Sequence, residues 1–269
     1  MATSNSLFTT LAMTNERPVR VDCRSPMEYR RVRVLKGSLN GQADVHIGKT
    51  SVRTTVSGEI APPSSDRPNE GRLFINVELG AIAEPTMGEH GRHRSDVTTI
   101  CNFIERLLKG SKALDPESLC ILAGRSVWSI RCDVHVLNDD GSLLDACALS
   151  VVGALMNFKC HSLDVIGQSV SVFSSTSREP VPLSIHHLPI STTFAITSTP
   201  TGLTWVIDPC SAEETAFESG LTITVNQHGE LCGIHKPGGI AIEPDILQQC
   251  TDLAIIRARD ITELMQHAL

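Results

Sequence analysis

Aromatic side chains are scarce in this chain: seven Phe, two Trp and one Tyr among 269 residues. Its core must therefore be filled by Val, Ile, Leu and Ala. No CxxC pair occurs, and the nine cysteines, at 23, 101, 120, 132, 147, 160, 210, 232 and 250, are odd in number. That pattern speaks against a disulfide framework and a compact zinc knuckle, and predicts small buried thiols in a reducing compartment. Long apolar runs are missing too. Leu7-Phe8 and Leu11-Ala12-Met13 are interrupted by threonines, so neither a secretory signal nor a membrane span is expected. Nor is there an excess of positive charge: the formal net charge is -7. A general nucleic-acid coat is thereby disfavoured, but a local RNA groove is not, because focusing depends on where charge sits.

Catalytic signatures are equally thin. Gly48-Lys49-Thr50 has the end of a phosphate loop without the glycine-rich spacing before it, and reads as a hairpin turn. His186-His187 and the His90/His93 pair lack a Cys or carboxylate set to complete a zinc site, and no nucleophile-elbow motif occurs. No metal and no cofactor is expected. Asp133, Asp139 and Asp140 come nearest to a catalytic carboxylate cluster, since such groups can hold a metal or assist proton transfer. An Asp-rich turn accounts for them as directly. Between Arg17 and Lys36 stand seven basic and two acidic residues, a bias that suits RNA, an acidic partner or solvent.

What the chain has is a central stretch, 119–158. Val127, Trp128, Ile130, Val134 and Val136 make 126–137 read as a buried strand. Asn138-Asp139-Asp140-Gly141 is a turn, and 143–158 an almost uncharged helix whose small residues let it lie close against a sheet. With 41% hydrophobic and 20% charged residues, wholesale disorder is unexpected; fourteen Pro and nineteen Gly favour short strands. Before the centre, 30–35, 43–47 and 51–60 read as three strands of an antiparallel meander, followed by a strand at 73–79. The stretch 84–96 reads as a polar loop whose Arg92 and Arg94 can fork onto phosphates. A helix is predicted over 97–109, with Asp96 as its N-cap.

After the centre, 161–167 reads as a connection into 168–173, and 174–183 as the best boundary. Strands follow at 192–196 and 203–207, then a short helix from Ser211 with Glu213 and Glu214 in its first turn. A hairpin with one apolar face is predicted from 221–225 and 231–235. Apolar residues recur at helical spacing over 244–265, in a helix that should cover the second sheet or an interface.

Ordered stretches along most of the chain resemble the RNase PH-like ring subunits of the eukaryotic RNA exosome. They include Arg67-Pro68-Asn69-Glu70-Gly71, Phe74-Ile75-Asn76-Val77-Glu78-Leu79, Val127-Trp128-Ser129-Ile130-Arg131-Cys132-Asp133, Pro182-Leu183-Ser184-Ile185-His186-His187 and Asp208-Pro209. The resemblance implies an α+β RNase PH-like fold with two βαβα-type subdomains, their mixed or antiparallel sheets covered by helices. The division expected is an N-terminal extension (1–27), a first domain (28–173), a connection (174–190) and a second domain (191–269).

It further implies a ring of related subunits, cap subunits with S1/KH-type domains, associated exoribonucleases, RNA, and residence in nucleus, nucleolus and cytoplasm. Active members carry Asp-Gly-Gly-Thr-Arg at the phosphate site. Here the region is Asp140-Gly141-Ser142-Leu143-Leu144, and Arg106-Leu107-Leu108-Lys109-Gly110 replaces an Arg-Leu-Ile-Gly-Arg ending. Losing a guanidinium to leucine weakens phosphate binding and charge stabilisation. Asp133, Asp140, Gly141, Ser142, Leu143 and Leu144 are thus expected to be a degenerate phosphorolytic region and the chain a noncatalytic ring subunit. Arg92, Arg94, Arg106 and Lys109 are the RNA-contact candidates. The alternatives are a phosphate-dependent 3′-to-5′ exoribonuclease, acting alone or at a shared interface, and a protein scaffold that does not touch RNA.

Overall fold

The structure, a computed structural model, describes residues 9, 12, 19–80, 90–166, 169–173, 178–199 and 202–268, excluding the side chains of 90–96, 166 and 169. The first sheet has β1 (Val32–Lys36), β2 (Gln42–Ile47), β3 (Thr50–Ala61), β4 (Arg72–Leu79), β5 (Cys120–Leu122) and β6 (Ser126–Asn138). Its order is β1-β2-β3-β6-β4, with β5 on β6. The first three strands form the expected meander: Ile47 pairs with Thr50 across a turn where Gly48 has φ +58°. β4, by contrast, runs parallel to β6. A parallel neighbour needs a crossover, and it is supplied by α1 (His90–Gly110).

That helix begins before the predicted start, so Asp96 lies in its interior rather than at its N-cap. The apolar stripe that betrays a helix starts only at Val97. Once packing of Ile100, Phe103, Ile104, Leu107 and Leu108 stabilises the helix, it continues back through polar residues that carry no periodic signal.

α2 (Leu143–Asn157) is buried at nearly every position, and Ser150 Oγ meets Thr54 Oγ1 at 2.7 Å under the sheet. Next come β7 (Lys159–Cys160), β8 (Leu163–Ile166), β9 (Ser169–Val172) and β10 (Val181–Pro182). The stretch expected as a bare connection is therefore partly strand, a β8–β9 hairpin with Val165 and Val172 exposed. Four residues were too few to show a period.

The second sheet is wholly antiparallel, in the order β12-β11-β13-β14, from β11 (Ile190–Thr199), β12 (Gly202–Ile207), β13 (Ser219–Val225) and β14 (Leu231–His235). The single apolar face expected for β13 is corrected: Leu221, Ile223 and Val225 are buried, but so are Thr222 and Thr224. Thr222 Oγ1 meets Thr193 Oγ1, which donates to Asp145 in α2, so the hydroxyl face of this strand is satisfied internally. α3 (Ser211–Ala216) precedes β13, and α4 (Pro244–Ala268) buries Cys250, Ala254, Ala258, Ile261 and Met265 at helical spacing. Side chains of both sheets join one continuous apolar core. All nine cysteines are free thiols. No described helix is long and apolar enough to cross a membrane.

Candidate functional site

The turn between β6 and α2 is the region that the resemblance marks as a degenerate phosphate site, and its backbone is engaged from within. Asp140 N donates to Thr50 Oγ1 at 3.1 Å, Gly141 N to Asp139 Oδ1 at 3.0 Å, and Ser142 N to Glu214 Oε1 at 2.8 Å. Their carbonyls are held as well. Arg30 donates to Asp140 O and Gly141 O at 2.7 and 3.1 Å, and Thr50 Oγ1 to Gly141 O at 2.8 Å. Gly141 is required at its place: φ is +89°, and a Cβ would stand 2.5 Å from Pro209 O. Ser142, at φ +52°, also lies in the left-handed region, its hydroxyl donating to Pro209 O. Leu143 and Leu144, half-buried, pack against the core.

Behind this turn lies an ionic joint. Asp208 accepts from Arg30 Nη2 at 2.6 Å, from Arg30 N at 2.8 Å and from Arg24 Nη1 at 3.2 Å. Burial opposes ionisation of Asp208, yet the bonds from Arg30 outweigh it and hold the carboxyl below the usual carboxylate range. Arg20 goes further inside. Its side chain is 0% exposed and forks onto Glu213 at 2.9 and 2.6 Å. It also donates to the carbonyls of Glu28, Ile207 and Asp208. A buried guanidinium is tolerated only when its donors are met this fully.

The basic bias at 17–36 is thus, at Arg20, Arg24 and Arg30, neither an RNA face nor a solvated one. It straps the N-terminal segment to the start of α3, whose acids the sequence placed merely in a helix's first turn. Partners almost 200 positions apart left no local signal; the density of arginine before β1 and the Asp208-Pro209 step were the only hints. Close by, burial pushes Asp145 up to about 7, opposed by its bonds from Thr193.

The other candidates are dispersed. Asp133 points to the open face of the first sheet, bonded to Arg131 at 3.0 Å and to Asn76 at 3.3 Å, away from the turn. Asp140 keeps its carboxylate 3.9 Å from Arg30. The acids therefore do not converge. Among the described residues no group of three His, Cys, Asp or Glu could hold a metal.

Lys109 is exposed and pairs with Glu105 on the wall of an open cleft of about 1050 Å³ that also carries Arg67, Arg72, Lys112 and His186. Arg106 is exposed on α1 and lies near enough to His235 to help lower that histidine's pKa, after burial as the larger cause. Arg92 and Arg94 belong to α1, but their side chains lie outside the described residues, as do those of His90 and His93.

Two family descriptions match the chain: "3' exoribonuclease family, domain 1" (RNase_PH) over 28–161 and "domain 2" (RNase_PH_C) over 187–257. The chain is 39% identical over 250 residues to exosome complex component RRP45 of Danio rerio, covering 93% of this chain and 63% of that protein. Against RRP45 of Homo sapiens it is 39% identical over 254 residues, covering 94% and 57%. Against rrp45 of Schizosaccharomyces pombe it is 37% identical over 254 residues, covering 94% and 86%. It thus spans less than two thirds of the length of the first two.

Among solved structures, it aligns with a chain of the Archaeoglobus fulgidus exosome with RNA bound to the active site, with a TM-score of 0.80 and 27% identity over 96% of each chain. An archaeal exosome core gives a TM-score of 0.78 and 25% identity, covering 97% of this chain and 96% of that one.

Proposed function

Given that the chain belongs to the RNase PH 3′ exoribonuclease family, on the RRP45-type exosome branch, we propose that it is a noncatalytic structural subunit of an exosome ring. Its partners are other RNase PH-like subunits, S1/KH-type cap subunits and the exoribonucleases that process RNA delivered through the ring, in nucleus, nucleolus and cytoplasm. Its two halves, 28–173 and 191–269, act in that ring as one body joined through 174–190.

The observation that carries the noncatalytic reading is the occupied turn. The N–H groups of Asp140, Gly141 and Ser142 already donate to internal acceptors. Leucine stands at 144, where active members have a phosphate-binding arginine. With the donors of this turn taken and no converging acids among the described residues, phosphorolysis lacks its means of holding phosphate and stabilising transferred charge. Lys109, on the cleft wall, supports an RNA route along α1, and Arg92, Arg94 and Arg106 on the same helix are its further contacts.

Purified chain given single-stranded RNA and inorganic phosphate is expected to release no nucleoside diphosphate; phosphate-dependent release would overturn the reading in favour of an exoribonuclease. Native mass spectrometry of the intact complex should find a stoichiometric ring of RNase PH-like chains. A monomer under conditions that preserve large complexes would refute the assembly.

A further inference from the structure

Phe74 is 51% exposed on β4, an edge strand, where it pairs in register with Arg131 of β6. Arg72, two residues back, shares its face of the sheet, as strand alternation requires. Around the ring stand Ser57, Ser129 and Asn76, which with Arg131 line a groove of about 510 Å³. Phe74 also lines the larger cleft, where Arg72, Lys109 and Lys112 stand among the acids Glu70, Glu105, Asp115 and Glu117. A lone apolar side chain on a convex surface needs no explanation. This one is instead the wall common to two adjoining hollows, an aromatic face edged by guanidinium groups.

We infer that Phe74 is a base-stacking platform for single-stranded RNA on the open face of the first sheet. Every base offers a π-face to such a ring. Arg72 and Lys112, without ion-pair partners among the described residues, lie in the same cleft to meet the phosphates on either side. Protein occupancy is disfavoured because a protein anchor needs a contiguous apolar centre, whereas this groove has only Ile75 beside the ring and is otherwise lined by Ser57, Glu59, Asn76, Ser129 and Arg131. The inference rests on the RNA-route reading above and assigns that route a residue, Phe74, that is not among the four basic candidates.

The test uses the intact ring assembled with Phe74→Ala, Phe74→Leu, Phe74→Trp, Arg72→Gln or Lys109→Gln, and an oligoadenylate titrated over a range of salt. Phe74→Ala should weaken binding about 5- to 150-fold by the same factor at every salt concentration. Trp should retain affinity, and Leu, which keeps bulk but loses the π-face, should not. Arg72→Gln should instead flatten the slope of log affinity against log salt by about 0.7 for one lost phosphate contact.

Unchanged affinity in Phe74→Ala, with weakening in the two cation variants, would overturn the stacking site and leave the RNA route standing. A ring that binds no oligoadenylate overturns both. Disassembly on Phe74→Ala would show a protein neighbour on this face and overturn the inference as well.

Discussion

Arg20→Met tests the ionic joint most directly. The guanidinium has no solvent exposure, and the Glu213 side chain it forks onto is only 1% exposed. Removing it leaves a carboxylate buried without its counter-charge and takes the side-chain donor from the carbonyl of Ile207, while those of Glu28 and Asp208 keep Arg24. Breaking one side of such a pair costs about 3–5 kcal/mol. In a chain somewhat above 250 residues each kcal/mol moves the melting temperature by about 2–4 °C, so a fall of roughly 6–20 °C is expected.

Pairing the change with Glu213→Leu removes the stranded charge, so the two losses should not add. A coupling of about 2–3 kcal/mol is expected from the double-mutant cycle. Urea denaturation of the four proteins followed by circular dichroism measures it. A single-variant loss under about 1 kcal/mol, or two losses that simply sum, would refute the account of the joint.

Two further outcomes follow from the same region. Gly141→Ala forces a side chain into a left-handed conformation and against Pro209 O, and should cost about 2 kcal/mol or more. Gly124→Ala, at φ +74° but facing open space, should cost about 1 kcal/mol; equal losses in thermal melts would remove the close-contact argument. For Asp145, burial raises the folded pKa from 3.8 to about 7. The folded state therefore holds the extra proton in that window, and this group's contribution falls as pH rises from about 4 to 7. Asp145→Asn should flatten the change in urea midpoint between pH 5 and 7.5, and an unaltered slope would mean that Asp145 is ionised throughout.

The meander and the long C-terminal helix were legible from their periods, the central strand and helix from a long run of apolar and small residues, and the α3 start from the acids of its first turn. The start of α1 was hidden by a polar run before Val97. The β8–β9 hairpin was hidden by its shortness, and the second buried face of β13 by threonines whose hydroxyls bond one another. For the site, that Leu144 stands where the resembled family's active pattern has an arginine was visible from the resemblance. That Glu214 would take the N–H of Ser142 was not.

By itself, then, the order of residues determined the strands and helices long enough to show a pattern; what the turn before α2 lacks was visible only beside the resembled family. The pattern depends on neighbours within a few positions. Only the folded chain decided that Arg20, Arg24 and Arg30 turn inward to Glu213 and Asp208, and that Asp133 lies apart from Asp140. Whether a charge meets solvent, RNA or an opposite charge depends on which distant segments packing brings within about 3 Å, and no local pattern encodes that distance.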